Sequence, residues 1–420
     1  MKPKIFSHPE LVKDFPTEVK NIFQIFNQNG DDKIRLVGGC ARDLLLAKKV
    51  NDFDFATKFL PEETIKILEE NKVKAVPTGV KYGTVTAVLN GKNFEITTLR
   101  KDLNNDGRHP KAEFVDDYFF DAKRRDFTIN ALYLDSAGLV YDYFDGISDL
   151  KNKKVRFIGD ANCRIEEDFL RILRFFRFSA LHAANYDAQG LEACIYQKAN
   201  IKLLSADRVR NELFKIFIKS EKTALLKLLQ ILEETKIRHE IFAAPFQIAN
   251  LQNLFELEKL LSINFSEQFQ FFISIFRDDI NLFEIFLRLN FSNHQKEYFK
   301  LLFESFVKHR QALNLQDLKQ LLAFEKKDFV YDFYLLNAIM NFSLLNIAEV
   351  QKNLSFIENF ILPQFPLDGE DVMKIGLEKE TIGKALKDAK KLWAESDFSL
   401  DKKSLLNLIK LGNYPLTTSK

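Results

Sequence analysis

Two aspartates one residue apart, Asp52-Phe53-Asp54, stand in a run that alternates polar and apolar side chains, Asn51–Thr57. Such alternation predicts a strand, and on a strand residues i and i+2 share a face. Both carboxylates then project together while Phe53 and Phe55 point the other way. Two close like charges call for a cation between them, and hard oxygen ligands suit Mg²⁺. A solvated strand face gives the same pattern. Glu95, with Asn93 and Thr97 on its face of the β-rich run Asn93–Leu99, is a candidate third carboxylate or a plain surface glutamate.

Just upstream lies Leu36-Val37-Gly38-Gly39-Cys40-Ala41-Arg42-Asp43. A strand over Lys33–Val37 runs into the glycine pair, and a helix follows from Ala41 through Leu44-Leu45-Leu46. Glycines let backbone N–H groups approach an anion, and a helix N-terminus adds positive potential. Arg42 can add a bidentate phosphate contact; a tight turn with a surface arginine is the alternative. Neither GxGxxG nor GxxxxGK[ST] occurs here, which excludes a Rossmann or P-loop assignment. One short helix separates the glycines from the aspartates, so a phosphate cradle and metal carboxylates can face one site. Farther on, Arg124-Arg125-Asp126 leads through Asn130 into another strand. These arginines hold phosphate, fix a domain junction, or pair in a surface turn.

The run Arg164–Phe178, RIEEDFLRILRFFRF, places Ile165, Phe169, Ile172, Leu173 and Phe176 at helical spacing. Asp168, Arg171 and Arg174 recur every three residues on the other side. A carboxylate and a guanidinium one turn apart can read a base: Asp accepts from an exocyclic amine, and Arg donates to a ring nitrogen or carbonyl. Cytosine and adenine satisfy both groups, whereas guanine and uracil leave them unpaired. The competing account is an i,i+3 surface salt bridge.

These groups need a scaffold. Eleven of the fifteen glycines lie between Gly30 and Gly190, and none occurs from Leu191 to Asp368. Gly and Pro punctuate turns, so the chain divides into an N-terminal α/β part and a helical remainder. Asn211–Ile218 and Asn281–Leu289 show helical apolar spacing. Gly83–Leu89 and Asn93–Leu99, joined by Asn90-Gly91, form one expected hairpin; Ala131–Asp135 and Leu139–Phe144 form another. The chain has 420 residues, 46% apolar and 29% charged, with a net charge of +2. That composition excludes a disordered chain, and any basic footprint must be local. No apolar run is long enough for a membrane span. Three cysteines at long spacings and no leader-like start point to the cytoplasm. Neither zinc-ligand spacing nor HExxH nor a His-Asp pair is present. A catalytically dead RNA-binding module has no need of Asp52 and Asp54 beside a phosphate turn.

Four segments in this order resemble the bacterial tRNA nucleotidyltransferase and poly(A) polymerase family of the DNA polymerase β superfamily: LVGGCARDLLL…NDFDFAT, KYGTVTAVLNGKNFEITTLR, RRDFTINALYLD, and DLKNKKVRFIGD…RIEEDFLRILRFFRF. Ser205–Leu213 is a weaker match, with Asp207 where the family has Glu, and Ala41 replaces a usual Val. The resemblance implies an α+β fold: a small mixed-sheet nucleotidyltransferase head (1–147), then a helical neck that recognises the base (148–205), a helical RNA-binding body (206–360) and a tRNA-binding tail (361–420). It implies template-independent addition of CCA to the tRNA 3′ end from CTP and ATP by two-metal chemistry with two Mg²⁺ ions; a poly(A) polymerase or A-adding enzyme is the alternative. By residue, Asp52 and Asp54, with Glu95 as a candidate, match the metal site; Gly38, Gly39 and Arg42 the triphosphate turn; Arg125, Asp126 and Asn130 the sugar and junction. Asp168 and Arg171, supported by Glu167 and Arg174, match the base reader. Arg100–Phe114, with Arg100, Asp102 and Arg108, is similar to the flexible loop that switches CTP to ATP. Pro366–Trp393 is similar to the family's tail pattern. The expected partner is the tRNA acceptor arm, with no membrane, and the oligomeric state is left open.

Overall fold

The glycine-punctuated part of the chain folds into an eight-stranded mixed sheet, here described from a computed structural model. It describes residues 1–28, 30, 32–102, 112–277, 280–377 and 379–412. They form two compact units, Met1–Ala243 and Ala244–Lys420.

In the first unit the strands are β1 (Lys4–Ser7), β2 (Ile34–Val37), β3 (Asp54–Thr57), β4 (Lys74–Gly79), β5 (Thr84–Leu89), β6 (Lys92–Thr98), β7 (Arg100–Asp102), β8 (Ala112–Phe114), β9 (Leu132–Leu134) and β10 (Leu139–Asp142). The main sheet runs β1-β10-β9-β2-β3-β6-β5-β4, and β7 pairs with β8 apart from it. All neighbours are antiparallel except β3 and β6. Asn90 and Gly91 both take positive φ, 50° and 75°, as a two-residue turn between twisted strands requires. Both expected hairpins are present. Strands β1, β4, β7 and β8 were not expected from the sequence. β4 contains Pro77, lies at the sheet edge and slips register between Val76 and Gly79, which is where a strand tolerates proline.

The helices of this unit are α1 (Thr17–Asn27), α2 (Gly39–Leu45), α3 (Pro61–Glu70), α4 (Tyr118–Lys123), α5 (Gly146–Lys151), α6 (Ala161–Glu167), α7 (Leu170–His182), α8 (Ala188–Gln197), α9 (Ala206–Lys219), α10 (Lys222–Glu234) and α11 (Arg238–Ile241). Strand alternation sorts the sheet's side chains. Phe53, Phe55, Phe94 and Ile96 join Val19, Ile22 and Phe26 of α1 and Leu68 of α3 in one core. Val37, Ala56, Tyr133 and Tyr118 form a second core on the opposite face. Asp54 and Glu95 therefore emerge on the face that α1 and α3 leave uncovered.

The single helix expected over Arg164–Phe178 is instead two, α6 and α7, broken at Asp168-Phe169. Asp168 is extended (φ −158°, ψ 105°), and its carboxylate accepts the Leu170 N–H at 3.1 Å. Aspartate offers the backbone such an alternative to the helix. Apolar spacing cannot register the break, because Ile165, Ile172, Leu173 and Phe176 on either side are all buried in phase.

Among the described residues of 191–368 no strand occurs, as the lack of glycine implies. The second unit is helical. Its larger part, from Ile248–Leu261 to Ile347–Asn359, is built on packed aromatics such as Phe272 against Phe299 (centroids 4.8 Å) and Phe276 against Phe306 (5.1 Å). Helices Gly369–Met373, Lys379–Glu395 and Lys402–Leu411 close around Trp393.

One close approach fixes the turn beneath the functional face. Gly146 opens α5 against the Thr128 carbonyl, where an added Cβ would lie 2.3 Å from that oxygen. The Asp142 carboxylate holds the approach by accepting the N–H groups of Gly146 and Ile147, both at 2.9 Å. Gly146→Ala should therefore force α5 off the Thr128–Asn130 turn and lower stability by about 1–3 kcal/mol. A urea midpoint equal to that of the unaltered chain would contradict this packing.

Candidate active site

The uncovered face of β3 and β6, the α2 turn and the helices α7 and α9 enclose a cleft of about 850 Å³. Ten Lys and Arg and six Asp and Glu line it, so a chain of net charge +2 concentrates positive charge here. The cleft gathers Gly38, Gly39, Arg42, Asp52, Asp54, Glu95, Arg100, Arg125, Asp126, Asn130, Asp168, Arg171 and Arg174. Glu167 stands behind Arg171. Arg108 lies outside the described residues, and of Asp102 only the backbone, in β7, is described.

Asp54 opens β3 in direct register with Glu95 across the parallel pair, and Asp52 precedes the strand rather than lying within it. Asp54 is open to the cleft yet flanked by protein. That enclosure, then the charges of Glu95 and Asp52, push its carboxyl up to about 6, against the pull of Arg125. A cation would relieve the repulsion, and the all-oxygen donor set fits a hard divalent ion. Glu95 acts on Asp54 through its charge. Cys40 donates to the Val37 and Asp54 carbonyls (3.3 and 3.5 Å), and burial pushes its thiol up to about 11, so it ties the glycine turn to β3 without being reactive.

Gly38 has φ +74°, and a Cβ there would meet an Arg125 guanidinium nitrogen at 3.2 Å. Arg42 is buried, not a surface arginine. It forks onto Asp43 (2.9 and 3.0 Å) and reaches the Asn130 side-chain Oδ1 at 2.5 Å. With seven residues, α2 contributes only a small dipole.

The Arg124-Arg125-Asp126 segment is no surface turn. Burial alone would raise the Asp121 carboxyl, but Arg124, Arg125 and the Tyr133 hydroxyl hold it well below the usual range. Arg124 Nε and Arg125 Nη2 donate to it at 2.8 and 3.0 Å. Asp126 is likewise buried, and Arg174 overrides the burial cost, with contacts of 2.7 and 2.6 Å. Arg174 thus bonds directly to Asp126, and the charge of Asp168 also acts on it.

Asp168 and Arg171 line the same cleft but are not bonded side chain to side chain. Asp168 accepts from Arg208 of α9 at 2.8 and 2.9 Å. Arg171 donates to Glu167 (2.7 Å) and to the carbonyls of Arg164 (2.7 Å) and Arg124 (3.2 Å). Arg164 pairs with Glu167 and reaches the Arg125 carbonyl at 2.6 Å. Sequence reasoning missed Asp121, Tyr133, Arg164, Arg177 and Arg208 here. Arg177 continues the three-residue rhythm of 168, 171 and 174 and was within reach of it; the others carry no local signal.

Comparison with known proteins places this geometry. Residues 34–156 match the family described as Poly A polymerase head domain. The chain is 32% identical over 413 residues to the mitochondrial CCA tRNA nucleotidyltransferase 1 of Mus musculus, covering 96% of this chain and 92% of the relative. Its fold is similar to that of the Bacillus stearothermophilus CCA-adding enzyme in complex with CTP (TM-score 0.73, 22% identity, 94% and 96% of the two chains). It is also similar to that of the Thermotoga maritima CCA-adding enzyme complexed with tRNA (TM-score 0.68, 20% identity, 98% and 99%). At one-third identity over almost its whole length, the chain belongs to the CCA tRNA nucleotidyltransferase family.

Proposed function

We propose that this chain adds CCA to the 3′ end of tRNA from CTP and ATP, without a nucleic-acid template. The observation that carries the assignment is the convergence of Asp52, Asp54, the Gly38-Gly39 turn and the Asp168 and Arg171 pair on one positively charged cleft. Membership of the family supports divalent-metal use. Asp52 and Asp54 would hold Mg²⁺, two ions in this assignment, which supplies activation of the primer 3′-hydroxyl and neutralises the leaving pyrophosphate. Gly38 and Gly39 admit phosphate oxygens close to the backbone, and Arg42 and Arg125 offer guanidinium donors beside them. Asp126 and Asn130, linked at 3.0 Å, stand between that turn and α7, where the sugar would lie.

Base choice falls to Asp168 and Arg171. Both are engaged with Arg208 and Glu167, so a base must displace those partners. The Asp168–Arg208 pair is partly exposed on both sides and is worth at most about 1 kcal/mol, which a base can outbid. Cytosine and adenine each give Asp168 an amine and Arg171 an acceptor; guanine and uracil do not. The segment 1–147 would serve as the catalytic head, 148–205 as the neck, and 206–360 and 361–420 as body and tail that grip the tRNA acceptor arm. The ends of the expected CTP-to-ATP loop are the paired strands β7 and β8. Among the described residues no helix is long and apolar enough to cross a membrane. Three free cysteines fit the reducing cytoplasm, where we place the protein.

The direct test supplies tRNA ending at the discriminator base with CTP, ATP or both, and sequences the product ends. CC with CTP alone and CCA with both is expected; runs of A alone would instead make it an A-adding enzyme. Asp52→Asn and Asp54→Asn should each abolish transfer with folding and tRNA binding retained, since each removes an anionic metal ligand that packs in no core. Near-normal incorporation with Mg²⁺ by either variant would refute the metal assignment. Asp168→Ala should relax rejection of UTP and GTP on the order of hundredfold, as loss of a matched polar contact does. Unchanged kcat/KM ratios among the four nucleotides would remove Asp168 from base reading.

A further inference from the structure

One aromatic side chain in the cleft lies among its cations rather than in either sheet core. Phe178 stands on α7 one turn beyond Arg174, 7% exposed, and lines the cleft wall. Three guanidinium groups surround its ring. Their central carbons lie 4.2 Å (Arg177), 5.2 Å (Arg174) and 5.4 Å (Arg42) from the ring centroid. Each arrives from a different anchor: Arg42 from Asp43 and Asn130, Arg174 from Asp126, and Arg177 from the buried carboxylate of Glu212 on α9. The ring itself is held by Phe127 (centroids 5.4 Å, edge-on) and by the His182 imidazole stacked at 6.1 Å. Burial, then Arg42, Lys48 and Arg177, push His182 down to about 3, so the imidazole stays neutral and adds no further charge.

Three cations about one ring repel one another where solvent screens them weakly. A phenyl ring offers each of them the negative potential of its π faces. An aliphatic side chain of similar bulk fills the same space without that potential.

We infer that Phe178 is a positioning residue for the nucleotide: its ring holds Arg42, Arg174 and Arg177 together on one cleft wall, so that their positive field is already assembled where a nucleoside triphosphate binds. The inference rests on the assignment of the cleft to nucleotidyl transfer. Phe178 acts through the arginines, and the arginines act on phosphate and sugar. Its contribution is therefore the same for CTP and ATP and leaves base choice alone.

The test replaces Phe178 with mono-, di- and trifluorinated phenylalanine, which keep the ring's shape and folding while draining its π faces step by step. Phe178→Leu serves as the ring-free limit. Dissociation constants for CTP and ATP, measured by calorimetry on the full chain without tRNA, should weaken stepwise and in parallel, by roughly tenfold across the series. Constants that stay flat across the fluorinated series would overturn the inference and leave the nucleotide assignment standing. So would weakening confined to one of the two nucleotides. A wild-type chain that binds neither nucleotide would overturn both.

Discussion

The junction between sheet and helices in the cleft is indexed to three consecutive residues, Arg124, Arg125 and Asp126. Their side chains and their main chain are engaged in opposite directions. The two guanidinium groups turn back to Asp121 and Tyr133 under the sheet. The carbonyls of Arg124 and Arg125 face the helices, where Arg164 and Arg171 donate to them. Asp126 takes Arg174. Three arginines from α6 and α7 thus grip one turn of the sheet. Taking so many charges out of water is costly unless each has a partner, and removing one partner strands the others. The network is therefore cooperative: Asn130 hangs from Asp126, Arg42 from Asn130, and the Gly38 turn closes against Arg125.

The parts of this arrangement legible in the sequence are those whose information is local. Asn90-Gly91 names its own turn, because both residues take positive φ. Phe53 and Phe55 reveal which way Asp54 faces, because a strand can only alternate. Asp52, Asp54, Gly38 and Gly39 fall within seventeen residues of one another and are joined by one short helix, so their common site could be inferred from spacing. The break at Asp168 could not. Its cause is a carboxylate that chooses a nearby backbone N–H and a distant arginine over the helix, and apolar periodicity carries no trace of that choice.

What stayed hidden was non-local. Arg208 meets Asp168 from forty residues away, and Arg174 meets Asp126 from forty-eight. Nothing in the composition of α9 marks Arg208 as different from Arg210, which pairs within its own helix. Strands β1 and β4 were hidden for separate reasons. β1 is a short edge segment whose backbone hydrogen bonds come from a partner far along the chain, whereas β4 pairs with the next strand, β5, and was hidden by a proline that argues against a strand until the edge position is known. The helical remainder was legible as a class, because an absence of glycine constrains what the backbone can do, but not in the order of its contacts.

The pairing of β1 with β10 sets a timetable for synthesis. Lys4 lies opposite Asp142, so β1 is made before every other strand of this sheet yet is among the last to find its place. At about 5–20 residues per second, seconds pass before its partner is made. During that interval β1 has no ladder, while β2, β3, β5 and β6 already have most of theirs. The entropy of closing so long a loop grows only slowly with its length, so the delay costs little at equilibrium. Its effect is temporal: the strand that completes the ladder of β1 belongs to the last hairpin of the sheet to be synthesised.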